Sequence, residues 1–152
     1  MITVGENQPN WIKNGVFEYV RRFPKQWAFK HEELCVQKRK KRSNLISVIE
    51  AESESILTNI RSEEYLVILD IKGNSLSTQG LAKRLNKWHL SGKDICFVIG
   101  GPDGLSKDLL NKADYLWSLS ELTLPHGLAR IFFVEQLYRA WSIMLGHPYH
   151  RE

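Results

Sequence analysis

Phe97–Ser106, FVIGGPDGLS, and Leu116–Trp141, LWSLSELTLPHGLARIFFVEQLYRAW, decide the fold of this 152-residue chain. A strand-like apolar run ends in a double glycine. A second short strand then ends in a Ser/Thr/Leu/Pro loop that leads into a long helix. Two loops in which backbone groups dominate therefore leave the same edge of one sheet, and open α/β folds bind ligands at that edge.

The pattern repeats upstream. Tyr65–Ile71 (YLVILDI) is a nearly continuous apolar run of strand length, as expected for a strand covered on both faces. Ile95–Ile99 (ICFVI) is another. Between them, Thr78 can cap a helix through Leu81, Leu85 and Trp88, with Gly92 just beyond its end. A short helix is expected around Leu105–Asn111 and a strand near Tyr115–Ser118. The last helix should run from about Gly127 to Leu145, stopped by Gly146 and Pro148.

Toward the N-terminus, Met1–Val4 is a short apolar start closed by Gly5. Apolar residues at 12, 16, 17, 19, 20 and 23 predict a helix over Asn10–Phe23, ended by Pro24. Trp27–Val36 reads as extended. The charge run KRKKR, Lys38–Arg42, reads as a loop, after which Ser43 can cap a helix with an apolar stripe of Leu45, Ile46, Ile49, Ile56, Leu57 and Ile60. This order predicts an α/β fold: a mostly parallel sheet of about five strands with helices on both faces. No linker or repeat divides the chain, so residues 1–152 form a single domain.

Composition narrows the function classes. With 43% hydrophobic and 25% charged residues the chain is an ordinary globular sequence, which excludes disorder. Its net charge of +4 permits RNA binding without demanding it. Cys35 and Cys96 sit in apolar strand-like surroundings and read as buried free thiols, not as a disulfide or zinc site, and no metal is expected. The N-terminus lacks an apolar segment long enough for a leader or a span, so a soluble cytoplasmic protein is expected, with no membrane partner.

Each motif carries two readings. Gly100-Gly101, followed by Pro102, Asp103 and Gly104, lets backbone groups approach a ligand without a Cβ in the way, but a tight strand-to-helix turn would look alike. It is neither a Walker loop nor a dinucleotide fingerprint. Leu119–His126 (LSELTLPH) can complete a cleft for a small flat ligand such as an adenosine. It can also be a plain helix entry with Thr123 as cap and Pro125 in the first turn. Ile131, Phe132, Val134, Leu137, Tyr138, Trp141 and Met144 wrap more than one face of the final helix, as burial on several sides or a subunit interface requires. Glu135 and Arg139 stand in the order of a helical ion pair. The terminal His147-Pro148-Tyr149-His150-Arg151 suits an unstacked base and its phosphate, and equally a frayed end. KRKKR is a solvated loop or a phosphate-contacting patch. His31 and His89 read as surface or satisfied residues.

Taken together, Trp11, EYVRRFPK (Glu18–Lys25), LDIKG (Leu69–Gly73), IGGPDGLS, WSLSELTLPH, LYRAWSI and HPYHRE resemble the RlmH family of ribosomal RNA methyltransferases, members of the knotted SPOUT class. The likeness covers essentially the whole chain. It implies a C-terminal trefoil knot, a homodimer, and S-adenosylmethionine as methyl donor. The implied acceptor is N-3 of a pseudouridine in 23S ribosomal RNA of the assembled ribosome, with no part for DNA. The family's cofactor positions fall on Leu69, Gly100, Leu119, Ser120, Glu121, Leu122, Thr123 and Leu124. Glu121 stands where the family commonly has a small residue. Tyr149, His150 and Arg151 match a tail thought to approach the partner's cofactor pocket. As acceptor-side groups, His150 or a nearby water would assist loss of the imide proton, while Arg151 would steady phosphate or developing charge. The rival readings are a knotted transfer-RNA methyltransferase and a non-enzymatic ribosome-binding or assembly factor.

Overall fold

The computed structural model describes residues 1–35 and 44–151. In chain order the elements are β1 (Ile2–Val4), α1 (Asn10–Val20), a 3₁₀ turn (Lys25–Trp27), β2 (Glu32–Leu34), α2 (Leu45–Thr58), β3 (Tyr65–Ser75), α3 (Thr78–Leu90), β4 (Ile95–Ile99), α4 (Lys107–Asn111), β5 (Tyr115–Ser118) and α5 (His126–Met144). The sheet has five strands in the order β2-β1-β4-β3-β5, and every pairing is parallel. The expected α/β class, with helices on both faces, is what the chain adopts.

Period-two geometry sorts the sheet residues between two cores. Val67, Phe97, Ile99 and Trp117 meet α1, α3 and α5 through Val16, Leu81, Leu85, Phe133 and Leu137. Leu66, Ile68, Cys96 and Val98 point the other way, to Ile56 of α2 and Leu109 of α4. Both faces of β3 and β4 are thus covered, which is why their sequences are continuous apolar runs. The principal helix, α5, buries Phe133, Val134 and Leu137 completely or nearly so.

β4 and β5 match their sequence expectations residue for residue, and elsewhere the chain corrects them. Trp27 belongs to the 3₁₀ turn, because Phe23 stacks on both Trp27 and Phe29 at 5.2 and 5.5 Å and folds the segment back. The strand expected over Trp27–Val36 shrinks to Glu32–Leu34. Val36, the KRKKR run and Ser43 lie outside the described residues. Asn44 caps α2, accepting from Ile46 N at 3.1 Å. Ser77, not Thr78, caps α3 through Gly80 N at 3.0 Å. α5 opens after Pro125 with no side-chain cap, so Thr123 does not serve as one.

The largest departure is in β3, which continues to Ser75 instead of ending at Ile71. Leu69 and Asn74 both register on Trp117, so Asp70–Gly73 form an excursion between two stretches of pairing with β5. Asp70 Oδ1 accepts from Lys72 N at 2.8 Å inside that excursion. Only glycine fits at 73: a Cβ there would lie 2.7 Å from the backbone of Leu116 and Trp117. Asn74 Nδ2 fastens the return by donating to Leu116 O at 3.3 Å.

Candidate active site

The carboxyl ends of β4, β3 and β5 are neighbours in the sheet, so the chain segments leaving them meet along one edge. Leu69 ends the regular part of β3, Gly100 follows β4 and Leu119 follows β5. All three are half-buried. Leu69 and Leu119 pack on the larger core, which fixes their backbones.

The loop after β4 is tightly closed. Gly104 N donates to Gly101 O at 3.2 Å, and Gly104 takes the left-handed conformation at φ +86° that glycine adopts without strain. Ser106 caps α4 by accepting from Leu109 N at 3.2 Å, and its own N–H donates to Ser53 Oγ of α2 at 2.9 Å. Glu52 of α2 lies against Gly101, with Oε2 2.8 Å from where a Cβ would stand.

The loop after β5 is held by local bonds. Ser118 Oγ donates to Ser120 O at 3.0 Å and Leu122 N donates to Ser120 Oγ at 2.9 Å. Glu121, Leu122 and Thr123 are exposed, and Leu124 is half-buried. The Glu121 carboxylate therefore stands at the surface and does not fill the loop.

Where this second loop enters α5, a buried cation anchors it. Arg130 is 1% exposed; its Nη1 donates to Glu33 Oε1 at 2.5 Å and its Nη2 to the carbonyls of Val4 and Gly5 at 2.7 and 2.8 Å. His126 Nε2 lies 2.8 Å from Val4 O, and Arg130 Nε donates to the same ring nitrogen at 3.3 Å. Burial, reinforced by Arg130, holds the His126 pKa below the ordinary imidazole range. His31 is held down to about 4, chiefly by burial, and its Nε2 lies 2.9 Å from Thr3 Oγ1. His31 is thus the satisfied residue expected, while His126 and Arg130 carry a role that the sequence reading did not assign. The only sequence signal was their helical spacing of four.

The C-terminal tail turns back at Gly146 (φ +62°) and lies along α5. Tyr149 meets Tyr138 edge-on at 4.8 Å, and its Oη donates to Glu135 Oε1 at 3.0 Å. Arg139 donates to the same carboxylate oxygen through Nε at 2.9 Å and Nη2 at 2.5 Å, and its Nη1 stands 3.5 Å from His150 Nδ1. Burial, with the Tyr19 and Glu135 hydrogen bonds, pushes the Tyr149 phenol well above its ordinary range, so it stays a protonated donor. Glu135 and Arg139 are more than a helical ion pair: they hold the tail. Tyr149 and His150 are half-buried and Arg151 is exposed.

Within one chain the tail and the second loop attach at different points along α5. Glu135 is ten residues along α5 from Pro125, about 15 Å at the helical rise. Between them Leu124, Leu128, Ile131, Phe132, Glu135 and Tyr19 line a shallow apolar surface. Among the described residues no His/Cys/Asp/Glu group could hold a metal, and no helix is long and apolar enough to cross a membrane.

A parallel α/β sheet with a glycine loop after β4 and a backbone-rich loop after β5, on either side of β3, has the arrangement in which open α/β folds bind ligands at their carboxyl edge. A family model described as "Predicted SPOUT methyltransferase" matches residues 1–150, and the chain belongs to that family, whose class implies the C-terminal trefoil knot. The chain is also similar to proteins named "Ribosomal RNA large subunit methyltransferase H". The one from Hahella chejuensis is 43% identical over 152 residues, covering 100% of this chain and 97% of the relative. The one from Chromohalobacter salexigens is 40% identical over 151 residues, covering 99% and 97%.

Proposed function

We propose that this chain is an S-adenosylmethionine-dependent enzyme that methylates N-3 of a pseudouridine in 23S ribosomal RNA, acting in the cytoplasm as a homodimer on assembled ribosomes. The observation that carries this reading is the pair of unlike loops that flank the end of β3, in a chain similar along its full length to large-subunit ribosomal RNA methyltransferases. Leu69, Gly100 and Leu119–Leu124 would hold the donor. These residues fit it: half-buried Leu69 and Leu119 offer apolar walls to a flat base, and Gly100 lets Leu105 close against the end of β4.

The donor supplies a methyl carbon already activated by its sulfonium. The chain's own task is orientation, which can account for on the order of 7–11 kcal/mol of a barrier when geometry is good. Tyr149, His150 and Arg151 would work on the acceptor side. His150, or a water it orders, would receive the imide proton, and Arg151 would face the phosphate or the charge left on the ring. The separation of tail and second loop along α5 supports a composite site, each tail serving the partner's loops. Trp11 and Phe17 on α1, with Leu128 and Phe132 on α5, are large exposed apolar side chains on two packed helices, as a subunit interface needs.

The test is to incubate the protein with ribosomes lacking the modification and methyl-labelled donor, then analyse nucleosides by mass spectrometry. Labelled N-3-methylpseudouridine from large-subunit RNA is expected. Label in transfer RNA alone would redirect the substrate reading. No label and no donor binding would favour a binding or assembly factor.

A further inference from the structure

We propose that Glu52, with its neighbour Ser53, is a positioning residue for the loop after β4: α2 grips both ends of the Gly101–Ser106 segment and presets the backbone that the methyl donor meets. The inference rests on the cofactor reading above and adds residues that lie outside the two loops.

Glu52 and Ser53 are each 2% exposed in the middle of α2, where Val48, Glu52 and Ile56 form one buried stripe. A carboxylate in an apolar stripe carries a desolvation penalty that an aliphatic side chain would avoid. Glu52 Oε2 fills the space a Cβ on Gly101 would need, at 2.8 Å, and Val4 Cγ1 closes the other side at 3.4 Å. One residue along the helix, Ser53 Oγ accepts from Ser106 N at 2.9 Å. The entry and exit of the loop are therefore set by consecutive residues of one helix, and the Gly104–Gly101 hydrogen bond closes the turn between them.

Neither residue touches the reacting atoms. A side chain at position 101 would force the carboxylate to shift, and the serine fixes the first amide of the α4 cap. A loop fixed before the donor arrives has less ordering entropy to lose on binding. The expected signature is an effect on donor affinity with little effect on turnover at saturation.

The experiment compares wild type, Gly101→Ala, Glu52→Asp, their double variant and Ser53→Ala. The readouts are S-adenosylmethionine affinity by calorimetry, KM and kcat on ribosomes, and amide exchange of Gly104 and Ser106 without donor. Gly101→Ala drives a methyl into the carboxylate and should weaken donor affinity about tenfold, a ΔΔG of about 1.4 kcal/mol. Glu52→Asp withdraws the carboxylate by one methylene and should restore most of that affinity in the double variant. Ser53→Ala should raise KM for the donor, leave kcat unchanged and speed exchange at Ser106. Additive losses in the double variant, or unchanged exchange in both Gly101→Ala and Ser53→Ala, would overturn the proposal. If wild type itself binds no S-adenosylmethionine, the cofactor reading falls instead, and the donor-free exchange rates still decide whether α2 sets the loop.

Discussion

The two loops at the carboxyl edge are built on opposite principles. The one after β4 is braced from outside by α2, where Ser53 Oγ accepts from Ser106 N and Glu52 lies against Gly101, and from within by Leu105 packed beside Gly100 and a backbone hydrogen bond that shuts the turn. The one after β5 leans on its own serines, leaves Leu122 75% exposed, and is anchored at its ends, by Leu119 on the core and by Arg130 where it enters α5. One loop is preformed and the other adaptable. In the proposed site the first would hold a small cofactor while the second still admits a bulky acceptor.

The largest test of this contrast lies at the foot of the adaptable loop. Arg130→Met should cost about 3–5 kcal/mol in urea unfolding, because Glu33 and two carbonyls lose a buried cation. A cost near zero would mean that the α5 entry needs no anchor. Gly73→Ala should follow at about 2–3 kcal/mol, since its methyl meets backbone that cannot step aside. Both loops should loosen together in that variant, which hydrogen exchange would report. Tyr149→Phe should remove about 1 kcal/mol of tail ordering, lowering turnover while donor affinity holds. Equal loss of both would place the tail against the donor itself.

Acid should separate the loops more gently. His126 and His31 are held below their unfolded values, so the native state binds fewer protons than the unfolded chain. For His31 the window is from about 6.5 down to about 4: its contribution is complete above that range and drains as pH falls through it. His126 drains in the same direction, and its protonation places a second cation beside Arg130. The entry to α5 should therefore lose exchange protection before Gly104 does, and His31→Gln should flatten part of the stability profile. The smallest effect belongs to Leu122→Ala, within about 0.5 kcal/mol of wild-type stability, because the side chain packs on little.

Local pattern carried the sequence reading a long way where the pattern itself was local. Apolar runs placed β4 and β5, and the glycines marked the loops between them. Pattern could not carry β3 beyond Ile71. Asp70, Lys72 and Gly73 look like a solvated turn, and their return to β5 depends on residues more than forty positions away. Glu52 was hidden for a related reason: EAESES reads as a charged surface, although its spacing of four from Val48 and Ile56 does put it on the buried stripe. The tail residues were legible, but the Glu135 carboxylate that holds them looked like half of an ordinary helical ion pair.

The wedge of Gly73 against the Leu116–Trp117 backbone also bears on how the molecule is made. Beyond Leu69, β3 finds its partners in β5, so its outer half has nothing to pair with until the last third of the chain has been synthesised. Pairings so distant in sequence are slow to form, and an unpaired strand invites association with other chains in the meantime. The carboxyl edge is thus a late product of biosynthesis. A nascent chain stopped before Tyr115 would hold most of the residues of one loop without the strand that completes the edge on which both loops stand.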